Sequence, residues 1–306
     1  MTLTVSVLLA LGIVATWPRP TPAGPMLSTI TPATPPVPAN GRTPTPTPTP
    51  TPAPAPAPAI SARKMREKLA KALDRYLRDR PGQLALSIRD LSTGFTFTYG
   101  PKTRTVTASI VKVDILIALL LRAQREDRRL TATEKALATQ MIEISDNKAA
   151  NALWYAAGAS AGLAAANKKL RLRSTSPGPG GVWGATTTSA ADQIRILRAL
   201  TSTHSPLSAN SRRYVLGLMS HVTSEQVWGV SAAAADADDA VALKNGWLPR
   251  PIDGGRWTIN SIGRVNGDDH DYLIAVLSKL NPSMGAGIET VEHATRLLTS
   301  TLRRAM

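Results

Sequence analysis

Ser109-Ile-Val-Lys112 opens the apolar run Val113 to Leu121. On a helix, positions i and i+3 share a face, so the Lys112 amine is placed within reach of the Ser109 hydroxyl. A serine is a poor nucleophile until a neighbour takes its proton, and a lysine desolvated at the start of an apolar helix favours its neutral, basic form. The helix N-terminus adds backbone N–H groups where an acyl oxyanion would develop. Ser145-Asp146-Asn147 sits on a turn between two helical runs, and Lys244-Asn245-Gly246 ends a strand, where glycine admits a close approach of another backbone. Together these residue types point to acyl transfer on serine.

Each cluster also has a plain structural reading. Ser61-Ala-Arg-Lys64 repeats the Ser-x-x-Lys spacing among charged neighbours that keep its lysine wet, so spacing alone does not identify a nucleophile. Ser109, Asp146 and Asn147 are all good helix N-caps. The histidines at 204, 221, 270 and 293 are scattered and no Gly-x-Ser-x-Gly elbow occurs, which argues against a Ser-His-Asp arrangement. Asp268-Asp-His-Asp271, beside the Asn266-Gly267 turn, reads as a solvated hairpin tip rather than a metal site. No metal or cofactor is expected. The absence of cysteine excludes a thiol nucleophile, thiolate metal ligands and a lipidated N-terminal Cys.

The elements that must hold these groups can be read from periodicity. Ser61 to Arg80 is an amphipathic helix, with Met65, Leu69, Leu73, Tyr76 and Leu77 on one face. Leu84 to Ile88 and Phe95 to Tyr99 alternate around a Gly-containing turn as a hairpin. From Ser109 to about Ser220 the pattern is helical, without a convincing strand and interrupted by the Gly/Pro-rich stretch Ser174 to Gly184. Three strands follow, at Ala240–Lys244, Arg256–Ile262 and Tyr272–Ser278, then a final helix from about Gly285 to Arg304. This order predicts an α+β fold: an antiparallel five-stranded sheet flanked by N- and C-terminal helices, with an inserted all-helical lobe.

That domain is expected over residues 61–306. Residues 1–17 read as a signal sequence or anchor, although no Lys or Arg precedes the apolar core and no clean cleavage site follows. Residues 18–60 hold 16 of the 24 prolines and form a Pro-rich disordered linker, which in polyproline geometry would extend about 130 Å. The net charge of +15 suits polyanions, an anionic cell-wall polymer among them. Nucleic acid is not expected, since the basic residues are not interleaved with stacking aromatics.

The three motifs, in this order and in these elements, resemble the penicillin-recognising serine hydrolases, and the class A β-lactamases most closely. The resemblance covers residues 61 to 306, including Ser-Asp-Asn-Lys-Ala-Ala-Asn and Thr186-Thr-Thr-Ser-Ala. It implies that Ser109 is acylated with Lys112 as its base, that Ser145 relays a proton to the leaving nitrogen and that Asn147 binds the substrate amide. It further implies that Lys244 attracts the substrate carboxylate and that the N–H groups of Ser109 and Trp247 form the oxyanion hole beside Gly246. Three departures qualify this. Asn245 stands where the family has a hydroxyl residue, only 36 positions separate Ser109 from Ser145, and no Asp, Glu or Gln occurs from Lys148 to Ala191, where class A enzymes carry the deacylating glutamate. The expectation is therefore an exported, monomeric serine hydrolase, extracellular or associated with wall or membrane through its N-terminal segment, that forms an acyl-enzyme with β-lactams and releases it slowly. A D-Ala-D-Ala peptidase acting on peptidoglycan, or a wall-tethered binding protein with impaired turnover, is the alternative.

Overall fold

The computed structural model describes residues 62–304, so the expectations for residues 1–17 and 18–60, and Ser61 itself, lie outside the described residues. The chain runs α1 (Ala62–Leu77), β1 (Gln83–Asp90), β2 (Thr96–Tyr99), β3 (Thr105–Val106), α2 (Val111–Arg125), α3 (Ala132–Glu143), α4 (Asn147–Ala156), α5 (Ala159–Lys169), β4 (Thr187–Thr188), α6 (Ala190–Thr201), α7 (Ala209–Met219), β5 (Ala240–Arg250), β6 (Arg256–Asn266), β7 (Asp271–Asn281) and α8 (Met284–Arg303). Five strands make one antiparallel sheet in the order β2-β1-β7-β6-β5, with β5 at the edge. The α+β architecture with its helical insertion is as expected.

Side-chain alternation divides the core into two layers. On one face Leu86, Ile88, Ile274 and Val276 pack with Met65, Leu69 and Leu73 of α1 and Val291 and Leu298 of α8. On the other, Ala85, Ile262, Leu273, Ala275 and Leu277 join the helical lobe around α2. The two chain ends are locked together by β1 pairing with β7, by Tyr76 stacked on His293 with centroids 3.8 Å apart, and by Arg80 bonded to Glu289 at 3.1 Å. Local signals set the helix starts: Thr131 and Glu134 form a reciprocal capping box on α3, Asp146 caps α4 and Ser189 caps α6.

The α2 helix is buried on nearly every side, as expected of a central helix that is apolar around its whole circumference. Two of its buried residues are ionisable, Lys112 and Asp114. Both Asp114 carboxylate oxygens lack a hydrogen-bond partner, and burial, reinforced by the charge of Asp192, pushes its carboxyl up to about 8.

Three details differ from the sequence reading. β5 continues beyond Lys244 to Arg250, because Trp247 to Arg250 pair with Ile259 to Arg256 despite Pro249; an edge strand tolerates proline. The helical block contains a short pairing, Thr105 with Thr188 and Val106 with Thr187, too brief to leave a periodic signature. The Asp268–Asp271 segment is a solvated tip at Asp268 and Asp269, which are exposed, but not at His270. His270 is 2% exposed, held at 2.6 Å by Asp269 and 3.3 Å from Asp239, and stacked on Tyr272. Asp239 arrives from the loop before β5, a non-local contact that spacing could not reveal. Among the described residues no group of three or more His, Cys, Asp or Glu is placed to hold a metal.

The sheet and the lobe meet at Gly246. A Cβ there would lie 2.6 Å from the Ser109 nitrogen, 2.7 Å from that of Ile110 and 2.8 Å from the Thr107 oxygen, all main-chain atoms. Gly246→Ala is therefore expected to cost about 1–3 kcal/mol by overpacking, a melting point lower by roughly 2–12 °C. Gly217→Ala in α7, where a Cβ meets nothing within 4 Å, should instead be neutral or gain up to about 1 kcal/mol. Thermal melts of the two variants check this contrast. A second expectation concerns Asp114. Its folded pKa lies above the unfolded value, so the stability it permits is present below about pH 4 and is lost as pH rises through about 8. Asp114→Asn, neutral and of the same shape, should gain on wild type between pH 5 and 9 by on the order of a few kcal/mol; melts that stay parallel across that range would show the acid does not titrate in the fold.

Candidate active site

Ser109 occupies the middle of a 3-10 turn, Ala108–Ile110, that leads directly into α2. Ala108 before it has φ of +48°, a left-handed conformation that costs a non-glycine residue on the order of 1 kcal/mol or more. Tertiary contacts hold the turn in that state. The Thr107 N–H donates to the Thr186 oxygen at 2.7 Å, and the Asn260 amide donates to the oxygens of Val106 at 2.9 Å and Thr107 at 3.0 Å. Gly246 closes the opposite side. Ser109 is half-buried on this rigid support, and α2 presents its N-terminal end immediately behind it.

Lys112 is fully buried, and its ammonium donates to the Ser145 carbonyl at 2.7 Å, the Ser145 hydroxyl at 3.1 Å and the Asn147 side-chain oxygen at 2.8 Å. None of its hydrogen bonds goes to Ser109. Burial lowers its pKa to about 8, and the Asp146 carboxylate works against that shift. Ser145 reaches Lys112 because it too is left-handed, with φ of +58°, at the break between α3 and α4. Asp146 fixes the break by capping α4, accepting from the Ala149 N–H at 2.6 Å. The capping reading and the functional reading of Ser145-Asp146-Asn147 thus apply to different residues of one turn.

Lys244 is buried on β5 and donates to Gln226 Oε1 at 3.0 Å and to the Asn245 carbonyl at 3.2 Å. Burial lowers its pKa to about 7, with the like charge of Lys112 adding to the shift. Two cations this close in a dry environment favour one neutral amine between them. Asn245 turns its amide away from the nucleophile, donating to the oxygens of Gln226 at 2.7 Å and Trp228 at 3.0 Å. Trp247 meets Trp228 edge-on at 5.7 Å. Because β5 is an edge strand, alternate main-chain groups along it have no strand partner.

Several residues at this site were not singled out by motif. Gln226 ties the two halves of the cleft, donating to the Glu143 oxygen at 3.2 Å while accepting from Lys244. Asn260 is a fully buried amide inside an apolar strand, an anomaly visible in the sequence that did not say which carbonyls it meets. Trp183 lies with its ring 5.1 Å from the Lys112 nitrogen and donates its indole N–H to Asn151 at 2.8 Å. It comes from the Gly/Pro-rich loop, whose entrance is held by the buried carboxylate of Asp192 through the N–H groups of Arg173 and Ser174 and the Thr175 hydroxyl.

The geometry supplies a hydroxyl on a preorganised turn, a buried amine three residues on in the first turn of the helix that follows, and a second hydroxyl bonded to that amine. Such a set can take a proton from one oxygen and deliver one near another.

Known proteins share this framework. The fold matches a class A β-lactamase from Bacteroides cellulosilyticus with a TM-score of 0.68 at 14% identity, covering 78% of this chain and 99% of that one. It matches the extended-spectrum β-lactamase TLA-1 with a TM-score of 0.69 at 16% identity, covering 78% and 99%. A variant of PBP-A, solved as an acyl-enzyme complex with penicillin G, matches with a TM-score of 0.66 at 18% identity, covering 79% and 97%. At these identities the likeness concerns the fold. In sequence, the chain is 27% identical over 220 residues to LppW of Mycobacterium tuberculosis, a protein named as a lipoprotein, covering 70% of this chain and 69% of that one. Residues 68–136 and 127–302 match the profile described as the β-lactamase enzyme family. With the match spanning nearly all of the folded region and both halves of the cleft, the chain belongs to the β-lactamase enzyme family.

Proposed function

We propose that this protein is an exported serine hydrolase of the β-lactamase type that is acylated at Ser109 by β-lactams and releases the acyl group slowly. The observation that carries the reading is the buried Lys112, its pKa lowered to about 8 and its nitrogen bonded to Ser145, three residues along the chain from Ser109. In the neutral form Lys112 takes the Ser109 proton as Oγ attacks the carbonyl carbon. The C–N bond of the ring then breaks, and the leaving nitrogen receives a proton through Ser145. The product is an ester on Ser109. The N–H groups of Ser109 and Trp247 stabilise the oxyanion and Asn147 holds the substrate amide, while Lys244, enclosed by Gln226 and with a pKa lowered to about 7, is neutral where Lys112 acts as base and shapes the site through its hydrogen bonds rather than its charge.

Slow release rests on what flanks Lys112. From Lys148 to Ala191 there is no Asp, Glu or Gln to activate water, and the loop in that stretch places the Trp183 indole against the lysine instead. A PBP-A variant of the same fold, solved as an acyl-enzyme complex with penicillin G, supports the acylation step. The same features favour a D-Ala-D-Ala peptidase or a wall-tethered binder as the second reading, because both share the acylation step. Export is inferred from the N-terminal segment and from the name of LppW; among the described residues no helix is long and apolar enough to cross a membrane.

Intact-protein mass spectrometry with a reporter cephalosporin should show one covalent adduct persisting well beyond mixing, absent in Ser109→Ala. Unmodified wild type after long incubation would refute acylation, and rapid multiple turnover would refute slow release. The acylation rate should rise with pH through about 8 and level off above it, since the unprotonated amine is the base. Lys112→Ala should lower that rate by about 10²–10⁴-fold, the usual worth of a general base. Stopped-flow acylation across pH 6 to 10 measures both.

A further inference from the structure

Away from the cleft that holds Ser109, a concavity of about 640 Å³ opens between the end of α5, the turn after it, and α6. Its lining includes Lys169, Arg171, Arg173, Arg195, Arg198 and His204, and no Asp or Glu. Several surface arginines elsewhere are matched to carboxylates, as in Arg122 with Glu126, Arg128 with Glu134 and Arg264 with Asp271. Here only Arg195 has such a partner, the buried Asp192, whose charge is already shared with the N–H groups of Arg173 and Ser174. The side chains of Lys169, Arg171, Arg173 and Arg198 make no hydrogen bond or ion pair within the described residues and are exposed.

Helix-end electrostatics explain part of this cluster. Lys169 and Arg198 lie in the last turns of α5 and α6, where a cation offsets the helix dipole. They do not explain Arg171, Arg173 and Arg195. Arg171 sits at φ of +56°, a conformation that glycine or asparagine would adopt at less cost, and Asp192 anchors the main chain two residues further on. Asp192 therefore fixes the main chain that carries Arg173, and the exposed cationic side chains gather around one concavity. Guanidinium groups match phosphate oxygens through paired N–H donors, and a concave array raises local anion concentration more than a flat one. The exposed large apolar residues Ile144, Tyr155, Val182, Val227 and Ile252 all lie outside the concavity. It thus lacks the Phe, Tyr and Trp rings on which nucleobases chiefly stack, His204 being its one aromatic ring, and the apolar wedge that would enter a lipid layer.

We propose that this basic concavity is a binding site for a flexible, base-free phosphate polymer, independent of acylation at Ser109. The probe is long-chain inorganic polyphosphate, titrated against the full-length protein at several salt concentrations. Wild type should bind with an affinity that falls steeply with salt. The double variant Arg171→Glu, Arg198→Glu should bind on the order of 10-fold or more weakly, a change of about 1.4 kcal/mol or more. Arg75→Glu, Arg78→Glu, exposed in the last turn of α1 and just after it, changes net charge equally and should stay within about 2-fold of wild type. Circular dichroism melts and acylation of Ser109 by the reporter cephalosporin verify that each variant is folded. Equal weakening by both double variants, or no polyphosphate binding at all, overturns the proposal. So does tighter binding to single-stranded DNA that is lost in the Arg171→Glu, Arg198→Glu variant, or binding to phosphatidylglycerol vesicles lost in that variant in the absence of polyphosphate binding.

Discussion

A buried ammonium must find acceptors, and in this protein the requirement falls on Lys112. Its three bonds, to the carbonyl and hydroxyl of Ser145 and to the Asn147 oxygen, join α2 to the break between α3 and α4. Ser145 can supply both acceptors only from a left-handed conformation, which is unfavourable in isolation and is retained because Asp146 caps the next helix. The same burial that demands partners also lowers the lysine pKa toward neutrality. One constraint thus organises the lobe and lowers the pKa of the amine it encloses.

The sheet completes the arrangement from the other side. β5 approaches the nucleophile turn so closely that only glycine fits at 246, and Asn260 on the neighbouring strand spends its amide on the two carbonyls just before that turn. The strain at Ala108 is therefore held by contacts from both layers. Gln226 performs the comparable task for Lys244, connecting it to the main chain that precedes Ser145. The consequence is a site with two buried lysines, in which the charge of Lys112 makes Lys244 easier to deprotonate.

The loop over the cleft shows how one architecture can separate forming an ester from hydrolysing it. Forming it needs a nucleophile, a base and an oxyanion site, all on rigid elements. Hydrolysing it needs in addition a group that activates water. Here the loop is secured through Asp192 yet bears an indole and no carboxylate near Lys112. The family's fold accommodates either outcome, because the loop's anchoring residues and its chemistry are different positions.

Periodicity and motif order in the sequence determined the element sequence, the α+β class, the helical insertion and the neighbourhood of Ser109, Lys112, Ser145 and Asn147. These are local properties: an apolar period, a capping pattern, a spacing of three on a helix. Only the tertiary structure decided which partners the buried polar groups take. That Lys244 is enclosed by Gln226, that Asn245 faces away from the nucleophile, that Asn260 holds the turn and that His270 is buried against Asp239 all depend on residues far apart in sequence. A buried polar group must be satisfied by whatever the folded chain brings within about 3 Å. A motif therefore announces that such a group is present, and packing decides what it touches.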